Sequence, residues 1–265
     1  MWNVRQKPFR IFGNAYYVGT HGLSSILITS PHGHVLIDGA LPESAPLILS
    51  NIRALGFRPE DVKLILNSHA HYDHAGGIEA LREATGATVA ASRWSASTIE
   101  AGKGIPGDPQ LSIVLPYPSV PTVRPISDGE VLRGGDVALT AHFTGGHTPG
   151  GTTWTWRSCE GGRCADLVYA DSQSPVSADD FLFTRNTTYP SAVADFEHSF
   201  SVLESLSCDI LLTPHPGASN VFERLASRDS GNANAFVDPD ACRRLAKDAR
   251  RQLDERIAKE KGTGR

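Results

Sequence analysis

Four metal-competent side chains occur within six residues of one short segment. His69, His71, Asp73 and His74 follow directly on an apolar run that ends at Asn67. Three imidazoles and a carboxylate this close together would repel or clash unless a cation gathers them. Nitrogen and oxygen ligands of this kind suit zinc first, although iron or manganese would accept the same set. The segment therefore predicts a transition-metal site.

The spacing favours two ions over one, because so short a turn cannot direct four side chains at a single tetrahedral centre without backbone strain. The first two side chains can point to one ion while the last two point to another. Each ion then needs a further ligand from elsewhere in the chain. His147, in a glycine-rich turn, and His215, between two prolines, each follow a predicted strand. Sites on sheets are commonly built from such strand-end loops, so these two histidines are the predicted completing ligands.

The overall composition excludes some partners and limits the size of the fold. The 265 residues carry 25 basic and 29 acidic side chains, so the net charge of -4 gives no basic footprint for nucleic acid. With 40% hydrophobic residues the chain can bury a sizeable core, and one domain over residues 1–265 is expected. No apolar run approaches the roughly 20 residues that span a bilayer, and the N-terminus lacks the apolar core of a signal peptide. We therefore expect neither nucleic acid nor membrane as a partner. We also expect that this is a mature or trimmed chain.

Short strand patterns fill the first part of the chain, and strands and helices then alternate. The same order recurs in the second half and ends in a helix over about residues 239–261. This repetition predicts an α/β fold of two β-rich halves, packed as a sandwich with helices outside and the site at the seam. Residues 102–121 and 176–190 are expected to be loops that wall this site. Ile105 or Leu111 would supply apolar contacts there.

The four cysteines form two candidate pairs. Cys159 and Cys164 flank a turn between two strand patterns, so a disulfide could close that hairpin. Cys208 and Cys242 would then pair by elimination. Two disulfides imply an oxidising compartment such as a periplasm, whereas the alternative is four reduced thiols in a cytosolic enzyme.

The predicted ligands, in their order along the chain, resemble the motif of the metallo-β-lactamase superfamily. The motif residues are His69-x-His71-x-Asp73-His74, followed by His147 and His215. The resemblance runs from about Phe9 to the C-terminus and implies an αββα sandwich with a di-metal site. Members of the superfamily also include thioesterases, lactonases, sulfur dioxygenases and RNA-processing nucleases, so the motif alone does not give the substrate. The acidic charge balance argues against the nucleases.

Other residues are similar to the class B β-lactamases of subclass three. That subclass has a histidine at the second zinc, here His74, where other β-lactamase subclasses use a cysteine. The resemblance implies that Ser172 lies near the metal and that Ser174 helps to hold the substrate carboxylate. Asp171 leaves one alternative open, because thioesterase relatives carry an aspartate that bridges the two metals. The resemblance implies two zinc sites with three protein ligands each: His69, His71 and His147 at the first, and Asp73, His74 and His215 at the second.

The expected function is that of a secreted or periplasmic di-zinc β-lactamase, an antibiotic-resistance enzyme. A metal-bound hydroxide, oriented by Asp73, would attack the amide of penicillins, cephalosporins and carbapenems. The expected partner is a small β-lactam molecule, and the protein is expected to be a monomer. The alternative is a glyoxalase II-like thioesterase or a lactonase of the same fold. A binding module with structural metals fits less well, because three protein ligands per ion leave an open position for water.

Overall fold

The strands form two sheets in the computed structural model, which describes residues 2–262. The seven strands of the first sheet lie side by side in chain order: β1 (Phe9–Phe12), β2 (Ala15–Tyr17), β3 (Ile26–Ile28), β4 (His34–Ile37), β5 (Val62–Leu66), β6 (Thr88–Ser92) and β7 (Arg124–Ile126). The second sheet has the order β12 (Ile210–Leu212), β11 (Arg163–Tyr169), β10 (Thr152–Glu160), β9 (Val137–Phe143) and β8 (Val131–Gly134). Strands β1 to β4 are antiparallel and β4 to β7 parallel, whereas the second sheet is antiparallel except for the pair β11 and β12.

Seven α-helices connect and cover these strands within residues 2–262. They are α1 (Ala45–Ala54), α2 (Tyr72–Ala75), α3 (Ile78–Thr85), α4 (Arg93–Ala101), α5 (Ala192–Ser205), α6 (Val221–Asp229) and α7 (Ala241–Gly262). The predicted C-terminal helix over residues 239–261 is thus shifted by a residue or two. Single 3₁₀ turns precede α1, β5 and α6 at Pro42–Ser44, Pro59–Asp61 and Pro216–Ser219.

Successive side chains along a strand enter different layers of the molecule, as the pleat requires. Val35 and Ile37 of β4 lie in the core between the two sheets, whereas Leu36 packs beneath the helices that cover the first sheet. Leu167 of β11 likewise faces the core between the sheets, and its neighbour Val168 packs towards α5 and α7. The four layers are helices, sheet, sheet and helices. The predicted α/β sandwich of two β-rich halves is therefore confirmed.

The prediction of one domain over residues 1–265 stays a prediction, and Met1 and residues 263–265 lie outside the described residues. None of the helices in residues 2–262 has both the length and the hydropathy needed to cross a bilayer.

Both predicted disulfides are present. Cys159 and Cys164 face each other across the β10–β11 pair at the end of the hairpin. Cys208, just before β12, is bonded to Cys242 in the first turn of α7, and both of these residues are buried. The second bond therefore ties the strand that leads towards His215 to the C-terminal helix.

Candidate metal centre

A buried carboxylate fixes the start of the metal-binding segment. Asp38 directly follows β4, and Ser68 lies two residues beyond the end of the parallel neighbour β5, so the two meet at the same edge of the sheet. Asp38 accepts hydrogen bonds from the backbone nitrogen of Ser68 at 2.8 Å, from its hydroxyl at 2.6 Å and from the Tyr169 hydroxyl at 2.8 Å. Burial raises the pKa of Asp38, and these donors act in the opposite direction. The network ties the first sheet to the second immediately beside residues 69–74.

The six predicted ligands are brought together in two groups of three. The first is His69, His71 and His147, and the second is Asp73, His74 and His215. Within each group the potential donor atoms lie within 4.8 Å of one another. The groups adjoin, because the ring centroids of His69 and His74 are 4.4 Å apart. Each group offers three nitrogen or oxygen ligands, which matches an open catalytic zinc site.

Glycines allow the turn that carries His147 to approach its neighbours. The turn connects β9 to β10, and Gly146 has a φ of 126°, which disfavours any residue with a side chain. A Cβ atom on Gly151 would lie 2.4 Å from both Asp171 Oδ2 and the backbone oxygen of Thr144. Glycine is therefore needed at positions 146 and 151 for His147 to reach the other two ligands of its group.

Hydrogen bonds fix which ring nitrogen each histidine of the first group presents. His69 Nδ1 is 2.7 Å from Asp171 Oδ1, and His147 Nδ1 is 2.8 Å from the backbone oxygen of Ser174. Both rings therefore present Nε2 to the site. His71 is held through Nε2, which is 3.1 Å from Asp108 Oδ1, and so presents Nδ1. Carboxylates and carbonyls behind the ligands are the usual way in which proteins orient metal-binding imidazoles.

Some ring nitrogens of the two ligand groups make no hydrogen bond, as expected if they bind a metal. Nε2 of His69 and both ring nitrogens of His74 are buried and make no hydrogen bond to any described residue, although Nε2 of His74 lies 3.3 Å from Oδ2 of Asp73 in the same ligand group. Such atoms are costly to leave without partners inside a protein. A metal ion at each group would give Nε2 of His69 and one nitrogen of His74 the partner that they lack.

The protonation states also suit metal binding. Burial lowers the pKa of His69 well below its usual range, that of His147 to about 3 and that of His215 to about 4. These imidazoles are neutral at pH 7, which is the form that binds metals. Burial alone would raise the pKa of Asp73, but His74 and His215 hold it below its usual range. Four of the six ligands are therefore in the form that binds a cation at neutral pH. In His74 burial lowers the pKa, but the neighbouring Asp73 outweighs burial and raises it.

Asp171 lies behind a ligand rather than between the two groups. Its Oδ1 contacts Nδ1 of His69, on the opposite side of that ring from Nε2. Its side chain is fully buried, and it belongs to neither ligand group found among residues 2–262. The alternative left open by the sequence, a metal-bridging aspartate, is not the arrangement seen here.

The ligands line the floor of an open cleft of about 340 Å³. Both predicted loops contribute to its walls, through Gln110, Ile113 and Val114 of the first and Val176 of the second. The expected apolar contacts Ile105 and Leu111 do not line the cleft, because the tight turns of residues 105–114 place two later side chains there instead.

The two predicted substrate-binding serines lie in different places. Ser174 lines the metal cleft, whereas Ser172 lines a neighbouring cavity of about 170 Å³ that has α7 along one side. His215 and Ser174 border both spaces. Ser174 is thus placed to contact a molecule bound over the ligand groups, whereas Ser172 does not line that cleft.

Three residues of the site were not predicted from the sequence. Asp108 and Gln110 belong to the predicted loop, but no pattern in the sequence distinguishes them from other polar loop residues. Trp2 lines the cleft, with its ring centroid 5.6 Å from that of His215, and its backbone oxygen accepts from the Thr20 hydroxyl at 2.7 Å. A tryptophan near the N-terminus carries no signal of its own, because its place depends on long-range contacts.

Comparison with known proteins defines the class to which this fold and site belong. The family model described as the metallo-beta-lactamase superfamily matches residues 18–215, which include all six ligands. The chain belongs to the metallo-β-lactamase superfamily, a family of metal-dependent hydrolases.

Solved structures place the chain more narrowly. It is 55% identical to the Rm3 metallo-beta-lactamase, with a TM-score of 0.96 over 98% of this chain and 97% of that one. It is 46% identical to MEM-A1, a subclass B3 metallo-beta-lactamase from a soil metagenome library, with a TM-score of 0.97 over 99% of this chain and 100% of that one. The predicted resemblance to subclass three is thereby confirmed.

Curated relatives with other activities are more distant. A hydroxyacylglutathione hydrolase from Rhodobacter capsulatus is 31% identical over 45% of this chain and 37% of its own length. The N-acyl homoserine lactonase AttM from Agrobacterium fabrum is 31% identical over 47% of this chain and 55% of its own length. The matches thus span about half or less of these two relatives.

Proposed function

We propose that this protein is a di-zinc β-lactamase that hydrolyses the amide of penicillins, cephalosporins and carbapenems. The observation that carries the proposal is the pair of adjoining three-ligand groups at the floor of an open cleft. Likeness to subclass B3 enzymes over nearly the whole chain supports a β-lactam substrate in particular.

Each of the two ligand groups would bind one zinc ion. His69, His71 and His147 would hold one zinc, and Asp73, His74 and His215 the other. When bound, the two ions would supply a nucleophilic water at neutral pH and polarise the lactam carbonyl.

Residues of the cleft would also orient the attacking water and hold the substrate. Asp73, ionised at neutral pH, borders the space above both groups and would orient the attacking water. The Ser174 hydroxyl would donate to the substrate carboxylate, with Ser172 in a supporting position. The aromatic and aliphatic side chains of Trp2, Ile113 and Val176 would contact the apolar parts of the substrate. Few polar contacts and open walls predict a broad substrate range.

We further propose a periplasmic or secreted location and a monomeric state, with a small molecule as the only substrate partner. Two disulfides that include all four cysteines support an oxidising compartment.

A thioesterase or lactonase of the same fold is the second candidate, supported by the curated relatives. The position of Asp171 behind His69 argues against it. The zinc-loaded protein should be given a cephalosporin, an N-acyl homoserine lactone and a glutathione thioester in parallel assays. We expect cephalosporin turnover to exceed the other two by orders of magnitude. Faster turnover of the lactone or thioester would replace the β-lactamase proposal with this second candidate.

A further inference from the structure

One carboxylate of the cleft wall reaches the first ligand group. Asp108 lies in the loop of residues 102–121, and its side chain is 1% exposed. Its Oδ1 accepts from Nε2 of His71 at 3.1 Å and from the backbone nitrogen of Gln110 at 2.8 Å. Its Oδ2 is buried and makes no hydrogen bond to the described part of the chain. A carboxylate this buried, with so few donors, is expensive to maintain and calls for a specific role.

The contact with Asp108 selects the ring nitrogen that His71 offers to the metal. The Nε2–H group of His71 donates to the carboxylate, which leaves Nδ1 free as the ligand atom. His69 and His147 are held through Nδ1 and offer Nε2. His71 therefore needs the opposite tautomer from its two partners, and Asp108 is the residue that sets it.

Asp108 also connects the cleft wall to the ligand group. The same loop is attached elsewhere by a hydrogen bond from the Tyr117 hydroxyl to the backbone oxygen of Ala70 at 2.7 Å. Near its tip, the hydroxyl of Ser112 donates to Asp180 at 2.9 Å on the surface. Between Asp108 and Tyr117, the side chains of Leu111, Ile113 and Leu115 are exposed by 43%, 56% and 55%. A segment with so many exposed apolar side chains gains little order from its own packing.

We propose that Asp108 is a positioning residue that orients His71 for the first metal and thereby couples metal binding to the order of residues 104–115. This inference rests on the proposed metal site but not on the identity of the substrate. Filling the first site fixes His71, which holds Asp108, which in turn restrains the loop. Loss of the carboxylate should weaken one of the two sites and leave the other unchanged.

The test compares Asp108→Ala and Asp108→Asn with the control Ser112→Ala, which loosens the same loop without touching His71. Zinc affinity and stoichiometry are measured by competition with a chromophoric chelator. Hydrogen exchange of residues 104–115 is followed with and without zinc. Neither readout uses a substrate, so failure of the β-lactamase proposal would not affect the result.

We expect Asp108→Ala to bind one zinc as the parent does and the other about 10- to 100-fold more weakly. In this variant zinc should no longer slow the hydrogen exchange of residues 104–115. Asp108→Asn keeps an acceptor oxygen without the charge and should lose less affinity, and Ser112→Ala should bind both zincs normally. If the alanine variant does not fold, the asparagine variant decides by the same two readouts. Parental affinity at both sites, or zinc-dependent loop protection that survives loss of the carboxylate, would overturn the proposal.

Discussion

Removal of the disulfide between Cys208 and Cys242 should destabilise the protein about twice as much as removal of the one between Cys159 and Cys164. The two bonds span 34 and 5 residues of sequence. The loop-closure relation then gives losses of about 4 and about 2 kcal/mol in the free energy of unfolding. The longer link is also buried beneath α7, whereas the shorter one lies at an exposed hairpin end. Burial of two serine hydroxyls would add to the first loss, so the difference is a lower limit.

The assay is urea unfolding of metal-free protein, because bound zinc would stabilise the folded state and mask the difference. The parent is compared with the two double variants Cys208→Ser/Cys242→Ser and Cys159→Ser/Cys164→Ser. Each midpoint is converted to a free energy with its own slope. Equal losses, or a larger loss from the hairpin pair, would show that loop length and burial do not decide the effect.

Three further predictions concern the ligands and the turn that carries one of them. Asp171→Ala removes the acceptor behind His69 and should weaken one zinc about 10- to 100-fold in chelator competition, and an unchanged affinity would contradict its orienting role. The pKa of His147 is about 3 when folded against the usual 6.5, so the unfolded chain binds more protons between these values. The free energy of unfolding of the metal-free protein should therefore decrease as the pH is lowered, and this residue should account for about 2 kcal/mol between pH 7 and pH 5. A free energy of unfolding in urea that does not change over this range would contradict the prediction. Gly151→Ala places a Cβ 2.4 Å from a backbone oxygen and should lose about 1–3 kcal/mol in the same assay, whereas Gly217→Ala, with no described atom within 4 Å, should not.

Regular elements were predictable because their residues repeat the period of the structure. The apolar run Val62–Leu66 forms β5, and the run Val137–Phe143 forms β9. Buried strands and amphipathic helices are set by local patterns of this kind. The ligands were predictable for a different reason, because four of them lie so close in sequence that only a cation explains their grouping. Because these four ligands are so close together, His147 and His215 could be predicted as the ligands that complete the two sites.

The residues that orient the ligands were not predictable in the same way. Asp108 is 37 residues from the histidine that it contacts, and Asp171 is 102 residues from His69. Their roles arise from packing of two sheets and a loop, which leaves no periodic trace in sequence. The choice of Ile113 over Leu111 in the cleft wall has a similar origin, because both are apolar and only the turn geometry of the loop separates them.

Stepwise addition of zinc to the metal-free protein, with hydrolysis of a carbapenem followed by loss of ring absorbance, would show whether the six ligands support β-lactam hydrolysis. We expect no turnover without metal, rapid turnover as two equivalents are added, and loss of turnover on addition of a chelator. Absence of turnover by folded protein that holds two zincs would contradict the β-lactamase proposal. Undiminished turnover by the metal-free protein would contradict the role assigned to the six ligands.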